Sequence, residues 1–302
     1  MTIRRGSILI FFSWTLFAQD KTLLEGDIIR QAETFGGRIG VAARNITTGE
    51  TVAINEDSLF PTASVVKLPV LVELFYKFHD QELSPDQPIS LADSVKKPGS
   101  GVLQFLHAGQ TLKLIDIATL MIILSDNTAT NYVIDQFADR HDDKLEAVNR
   151  RMRSLGLQHT KLLNKLYSFA TKKKTEEAQR FGIGVSSPGD MALLLEKLAH
   201  SEVVDKATSD PIIGILKNQQ DISMAARLLP FDSDSTLWIA NKTGSLEDRK
   251  IDVGIVSCSH GTYVYAIFCD QSKDLGEQVD NKATLAVARV SKMLYDYFLG
   301  KK

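Results

Sequence analysis

Cysteine is scarce: Cys258 and Cys269 are the two in 302 residues, so at most one disulfide could form. They flank SHGTYVYAIF, which reads as the turn and second strand of a hairpin. That places them about 20 Å apart at 3.3 Å per residue, whereas a disulfide needs Cα atoms within ~7 Å. No disulfide is expected. The six histidines show no metal-ligand spacing and no glycine-rich phosphate loop is present, so neither a metal nor a cofactor is expected. A net charge of −2 without a long basic run argues against nucleic acid as a partner, and Lys172-Lys173-Lys174 reads as a solvated loop. Long apolar runs are also missing. SILIFFSWTLFA, residues 7–18, falls short of the ~20 residues that span a membrane. With Arg4 and Arg5 before it and Gln19-Asp20 after, it matches a secretory signal peptide (1–18) cut after Ala18. The mature protein would then be periplasmic or secreted; an uncleaved anchor is the other reading.

What is present suits a soluble globular chain: 44% hydrophobic and 24% charged residues, enough for a large core in one domain or two joined lobes. Leu23 to Thr34 reads as a helix stopped by Gly36-Gly37. RIGVAAR and TVAI read as strands joined by the turn-rich NITTGE. Helical spacing follows at 64–79, 111–124, TATNYVIDQFA and 144–154, and again from Ser187, where a serine cap precedes Pro188. Residues 157–186 lack periodicity and read as a long loop, which inside a compact domain points to function or mobility. STLWIANKTG, KIDVGIVSC and TYVYAIFCD read as strands, and 277–298 as a closing helix. The order predicts an α/β sandwich: an antiparallel sheet from both chain ends, with a helical block inserted. The expected division is an α/β lobe of 19–60 and 205–302 and a helical lobe of 61–204.

One stretch is chemically odd. TASVVKLPV, residues 62–70, opens a helix apolar almost all round, yet carries Ser64 and Lys67 three residues apart. On a helix the two share a face, close enough to share a proton. Burial drives a lysine towards its neutral form, which makes Lys67 a candidate base and Ser64 a candidate nucleophile. The spacing alone is weak, since about one such pair occurs by chance in a chain this long. Ser94 and Lys97 in LADSVKKPGS repeat it, but Pro98-Gly99 stop any helix there. Two further runs decide the matter: Ser125-Asp126-Asn127 at a helix junction and Lys242-Thr243-Gly244 at a strand end. All three motifs in this order are those of penicillin-recognising serine enzymes.

In TASVVKLPV, LMIILSDNTATN and NKTGSLEDRKIDVGIV the chain resembles the class A β-lactamases and their penicillin-binding relatives, over about residues 25–300. The resemblance implies an antiparallel sheet packed on helices with the active site between. It implies acylation of Ser64 by an amide carbonyl, Lys67 as base, and Ser125 relaying a proton to the leaving nitrogen. Lys242 would hold Ser125 and attract the substrate carboxylate. Asn127, Thr243, Gly244, Ser245 and Arg249 would bind substrate, and the N–H groups of Ser64 and Ser245 would form the oxyanion hole. The substrate would be a small β-lactam or a peptidoglycan stem peptide, and the protein a monomer with no membrane span once its leader is removed. Asp126 is expected to order the turn. Glu73, about 180° from Ser64 around the helix, should stay outside the site.

The sequence departs from the family on the long loop. Class A β-lactamases carry a glutamate there to activate the deacylating water. Here HTKLLNKLYSFATKKKTEEAQRFG places Lys165, Leu166 and Tyr167 at that distance, and Glu176 and Glu177 come some ten residues later. Three readings stay open: a class A-type serine β-lactamase, a D-alanyl-D-alanine carboxypeptidase, and a β-lactam sensor with a lasting acyl-enzyme. Family weight favours the first; the loop favours the second.

Overall fold

The computed structural model describes residues 9–300, with side chains from residue 20 onward and without that of Phe169. The basic start of the expected signal peptide, residues 1–5, lies outside the described residues. Nine helices occur within them: α1 (Leu9–Phe35), α2 (Lys67–His79), α3 (Leu114–Ile123), α4 (Asn127–Asp135), α5 (His141–Ser154), α6 (Glu176–Phe181), α7 (Pro188–Ala199), α8 (Lys206–Lys217) and α9 (Lys282–Phe298). The strands are β1 (Arg38–Asn45), β2 (Thr51–Ile54), β3 (Phe60–Pro61), β4 (Pro88–Ser90), β5 (Thr111–Lys113), β6 (Lys161–Leu162), β7 (Gly184–Ser186), β8 (Trp238–Leu246), β9 (Arg249–Cys258) and β10 (Gly261–Asp270). Among the described residues no helix is long and apolar enough to cross a membrane.

The main sheet has the order β2-β1-β10-β9-β8 with every pairing antiparallel. Both ends of the chain build it, as the sequence predicts: Arg38 of β1 stands opposite Asp270 of β10. Its strands alternate side chains between two apolar layers. One face, with Val41, Tyr265 and Ile267, packs on α1 and α9 through Ile28, Phe35, Ala286 and Val290. The other, with Ala42, Val253, Ala266 and Phe268, packs on the helical block. Within that block α2 is the central rod. Every residue from Lys67 to Phe75 is buried, which is what a helix apolar all round requires.

Side-chain caps fix where helices begin. Ser187 accepts from Asp190 N before α7, Asp205 from Thr208 N before α8, and Asn281 from Thr284 N before α9. Three local expectations are corrected. Residues 157–186 hold β6, α6 and β7, too short for periodicity to register. The helix expected from 111 starts at Leu114, because Thr111–Lys113 pairs with β4. α8 has no counterpart in the sequence reading, since Pro211 sits in its interior and argues against a helix. The two cysteines are free thiols at opposite ends of the β9–β10 hairpin: Cys258 faces Gly261 and Cys269 faces Lys250.

Candidate active site

A cleft of about 510 Å³ opens between the edge strand β8 and the helical block. Ser64, Asn127 and Ser245 stand in its walls, and Lys67 and Lys242 lie fully buried behind them. Ser64 belongs to a single 3₁₀ turn, Ala63–Val66, that leads into α2, rather than to α2 itself. That turn is tighter than the expected α-helix and begins on a residue in the left-handed region, Ala63 at φ 44°. Ser125 has φ 53° and Tyr167, on the cleft wall, φ 47°. Two of the eight non-glycine residues with positive φ among the described residues, Ala63 and Tyr167, therefore line this cleft, and a third, Ser125, bonds the lysines behind it. Such positions cost about 1–3 kcal/mol each and concentrate at working sites.

Ser125 joins the two lysines. Its Oγ lies 3.1 Å from Lys67 Nζ and 3.1 Å from Lys242 Nζ. Lys67 Nζ also donates to Ser125 O and to Asn127 Oδ1 (2.9 Å). Lys242 Nζ also donates to Thr243 O at 2.7 Å. Burial, with the Lys242 charge adding to it and Asp126 opposing, pushes the Lys67 amine well below the ordinary lysine value. Burial lowers Lys242 to about 8, while Asp221 and Asp252 hold it up. A neutral Lys67 has two N–H donors, which Ser125 O and Asn127 Oδ1 take, and a lone pair that faces the Ser125 hydroxyl. The direct Ser64–Lys67 hydrogen bond anticipated from their spacing is not made among the described residues. Three polar partners, Ser125 O, Ser125 Oγ and Asn127 Oδ1, draw the amine towards Ser125 and Asn127 instead.

The remaining predicted residues fall into place around this network. Asn127 uses Nδ2 on Pro98 O (2.9 Å), so its amide braces the wall as well as facing the cleft. Asp126 caps α4 through Ala129 N (2.8 Å) and accepts from Val102 N and Leu103 N, the ordering role expected of it. Gly244 runs so close to the Ser64 turn that a Cβ there would stand 3.2 Å from Ser64 N and 3.0 Å from Thr62 O. Thr243 pairs across the sheet with Asp252, and Ser245 with Lys250. Arg249 lines the cleft, yet its guanidinium is held by Asp270 (3.0 Å) and Asp248 (3.1 Å). Glu73 lies outside, paired with Arg151 at 2.9 Å.

Several residues were not legible beforehand. Lys250 is buried and donates to Ser245 Oγ (2.7 Å) and Leu246 O (3.0 Å); burial lowers its pKa. Asp252, fully buried beneath β8, accepts from Asn241 (3.0 Å), Ala225 N (3.0 Å) and Tyr265 Oη (2.9 Å), and burial raises it to about 7. Glu247 and Glu277 bring acids to the rim opposite the long loop. On that loop Leu166 lies in the cleft wall, with both backbone groups clamped by Asn131: its N donates to Oδ1 (3.0 Å) and its O accepts from Nδ2 (2.8 Å). Lys165 also lines the cleft, with its amine paired to Asp135 at 2.6 Å. Glu177 pairs with Lys161 (2.7 Å), and neither it nor Glu176 lines the cleft.

A paired-lysine serine site between an antiparallel sheet and a helical block defines a serine acyl-transfer enzyme of penicillin-recognising type. Comparison with known proteins narrows this. The model of the β-lactamase enzyme family matches residues 24–298. The chain is 25% identical to β-lactamase AER-1 of Aeromonas hydrophila, covering 95% of this chain and 89% of that protein. A solved β-lactamase from Sphaerobacter thermophilus is similar at 29% identity and TM-score 0.78, over 90% of this chain and 95% of that one. PBP-A has the same fold, with TM-score 0.78 at 24% identity over 92% and 96% of the two chains. The chain belongs to the β-lactamase enzyme family. Its fold is that of the class A enzymes, and by family it is a serine hydrolase of β-lactam amide bonds.

Proposed function

We propose that the protein works outside the cytoplasm and opens β-lactams through an acyl-enzyme on Ser64, with Lys67, Ser125 and Lys242 as its proton machinery. Ser125 Oγ, 3.1 Å from each of two buried lysines, is the observation that carries this reading. Ser64 Oγ attacks the lactam carbonyl, and its proton passes to the neutral Lys67 amine, which needs a small swing away from Asn127. The oxygen of the tetrahedral intermediate lies between the N–H groups of Ser64 and Ser245, a placement the close packing of Gly244 on the Ser64 turn favours. As the C–N bond breaks, Ser125 gives its proton to the departing nitrogen and is resupplied by Lys67. Lys242, charged below about pH 8, attracts the substrate carboxylate, and the Thr243 hydroxyl binds it. Arg249 adds positive charge at the rim, reduced by its two aspartate partners.

Leu166 in the cleft wall supports a second reading, that of a D-alanyl-D-alanine carboxypeptidase. A general base for deacylation is worth about 10²–10⁴-fold, and no acid stands at that point of the loop. A small peptidyl group leaves room for water that a penicilloyl group denies. A leucine-to-glutamate variant of PBP-A, solved as an acyl-enzyme complex with penicillin G, shares this fold. Intact-protein mass spectrometry after mixing with a penicillin separates the readings. An adduct on Ser64 that clears in seconds marks the β-lactamase. An adduct lasting hours, with D-alanine released from an acylated D-Ala-D-Ala peptide, marks the peptidase.

A further inference from the structure

The ten residues of β9 run from Arg249 at the cleft to Cys258 at the opposite end of the sheet, about 30 Å away. There the turn of the β9–β10 hairpin meets the segment before β8, and Asp234, Cys258 and His260 bring one carboxylate oxygen, one sulfur and one imidazole nitrogen within 4.8 Å of one another. The grouping is invisible in linear spacing because Asp234 comes from a different segment. Its geometry is built. Asp234 Oδ1 is fixed by Thr236 N (2.9 Å) and Thr236 Oγ1 (2.6 Å), and Thr236 Oγ1 accepts from Ser259 N (2.9 Å), which ties segment to turn. Asp234 Oδ2 is shielded from solvent with no N–H or O–H donor on it among the described residues, and it faces the Cys258 thiol. His260 N donates to Cys258 Sγ at 3.4 Å, a contact that supports a thiolate.

We propose that this turn is a divalent-metal site of zinc type, held by the Asp234 carboxylate, the Cys258 thiolate and the His260 imidazole, with water as fourth ligand. A mixed O, S and N set suits zinc. Zinc bonds of about 2.0–2.3 Å put tetrahedral donors about 3.5 Å apart, so the exposed turn must close by about an ångström. The Cys258 S–H bond breaks as the sulfur–metal bond forms, and its proton leaves to solvent, one per metal bound. The bound ion clips the segment before β8 to the hairpin turn, and it is independent of the Ser64 chemistry.

The test is cobalt titration of the untagged, chelator-stripped full chain. The expected result is 1:1 saturation with a sulfur-to-cobalt charge-transfer band that zinc abolishes. Zinc at 100-fold above its Kd raises the unfolding midpoint by about 5 °C. Cys258→Ser removes the band and the shift. His260→Gln, on an exposed turn where the fold is indifferent, weakens zinc binding at least tenfold and carries the test should the serine variant fold poorly. No saturable band, a band that survives Cys258→Ser, or equal zinc affinity in His260→Gln overturns the proposal.

Discussion

Replacing Leu166 by glutamate isolates the step that decides between a β-lactamase and a peptidase. The backbone at this position cannot drift, because Asn131 holds its N–H at 3.0 Å and its carbonyl at 2.8 Å. A longer side chain must therefore project from the same point of the cleft wall. Leu166 is 4% exposed, so the change forfeits about 1.5–3 kcal/mol of apolar burial. Lys165, its neighbour, is neutralised by Asp135, so the new acid gains little from it. A carboxylate able to activate water should speed deacylation by about 10²–10⁴-fold, equivalent to about 2.7–5.5 kcal/mol off that barrier. The assay is the lifetime of the Ser64 penicilloyl adduct by intact mass, beside the unfolding midpoint. An adduct that lives as long in Leu166→Glu as in the parent, with acylation and stability intact, refutes the claim that a missing acid limits turnover.

Lys67→Ala should slow adduct formation by about 10²–10⁴-fold, and Lys67→Arg should not rescue it, because a guanidinium stays charged; a normal acylation rate in either removes Lys67 as base. The pH profile of acylation should rise as Lys67 loses its proton, on a limb far below the usual lysine value, and fall near pH 8 as Lys242 loses its charge. Asp252→Asn deletes a buried negative charge that holds Lys242 up, so the falling limb should move to lower pH; a limb fixed near 8 would assign it to another group. Asn131→Ala strands the N–H and carbonyl of Leu166, at about 1–3 kcal/mol for each group, read as a lower midpoint in urea; an unchanged midpoint means the clamp is not stabilising.

The residues to which we assign the chemistry were the most legible, because their types are not interchangeable. Ser64, Lys67, Ser125 and Lys242 announce themselves as polar groups set in apolar or turn contexts; the structure puts Ser64 in the cleft wall and bonds Ser125 to both buried lysines. What supports them was hidden for a physical reason. Lys250 looks like a surface cation until the β8–β9 register sets it opposite Ser245. Asp252 alternates among valines and isoleucines, and its three donors, Ala225 N, Asn241 Nδ2 and Tyr265 Oη, come from three other segments. Glu247 and Glu277 reach one rim through tertiary packing that no local period records. Direct proton sharing between Ser64 and Lys67 was inferred from helical spacing alone, which does not know that Ser125 and Asn127 offer better acceptors. The hairpin, by contrast, gave the separation of the two cysteines correctly from strand rise.

The pairing of Arg38 with Asp270 spans almost the whole chain. During synthesis the first hairpin must wait, edge unsatisfied, until the last strands arrive, which makes sheet closure a slow, non-local event. Ser64 and Ser125 are by then in place on the turn and the junction that flank locally assembled helices, but Lys242 comes only with the closing strands. A nascent or truncated chain would thus hold its nucleophile without the second lysine, and reactivity would be the last property acquired as the polypeptide matures.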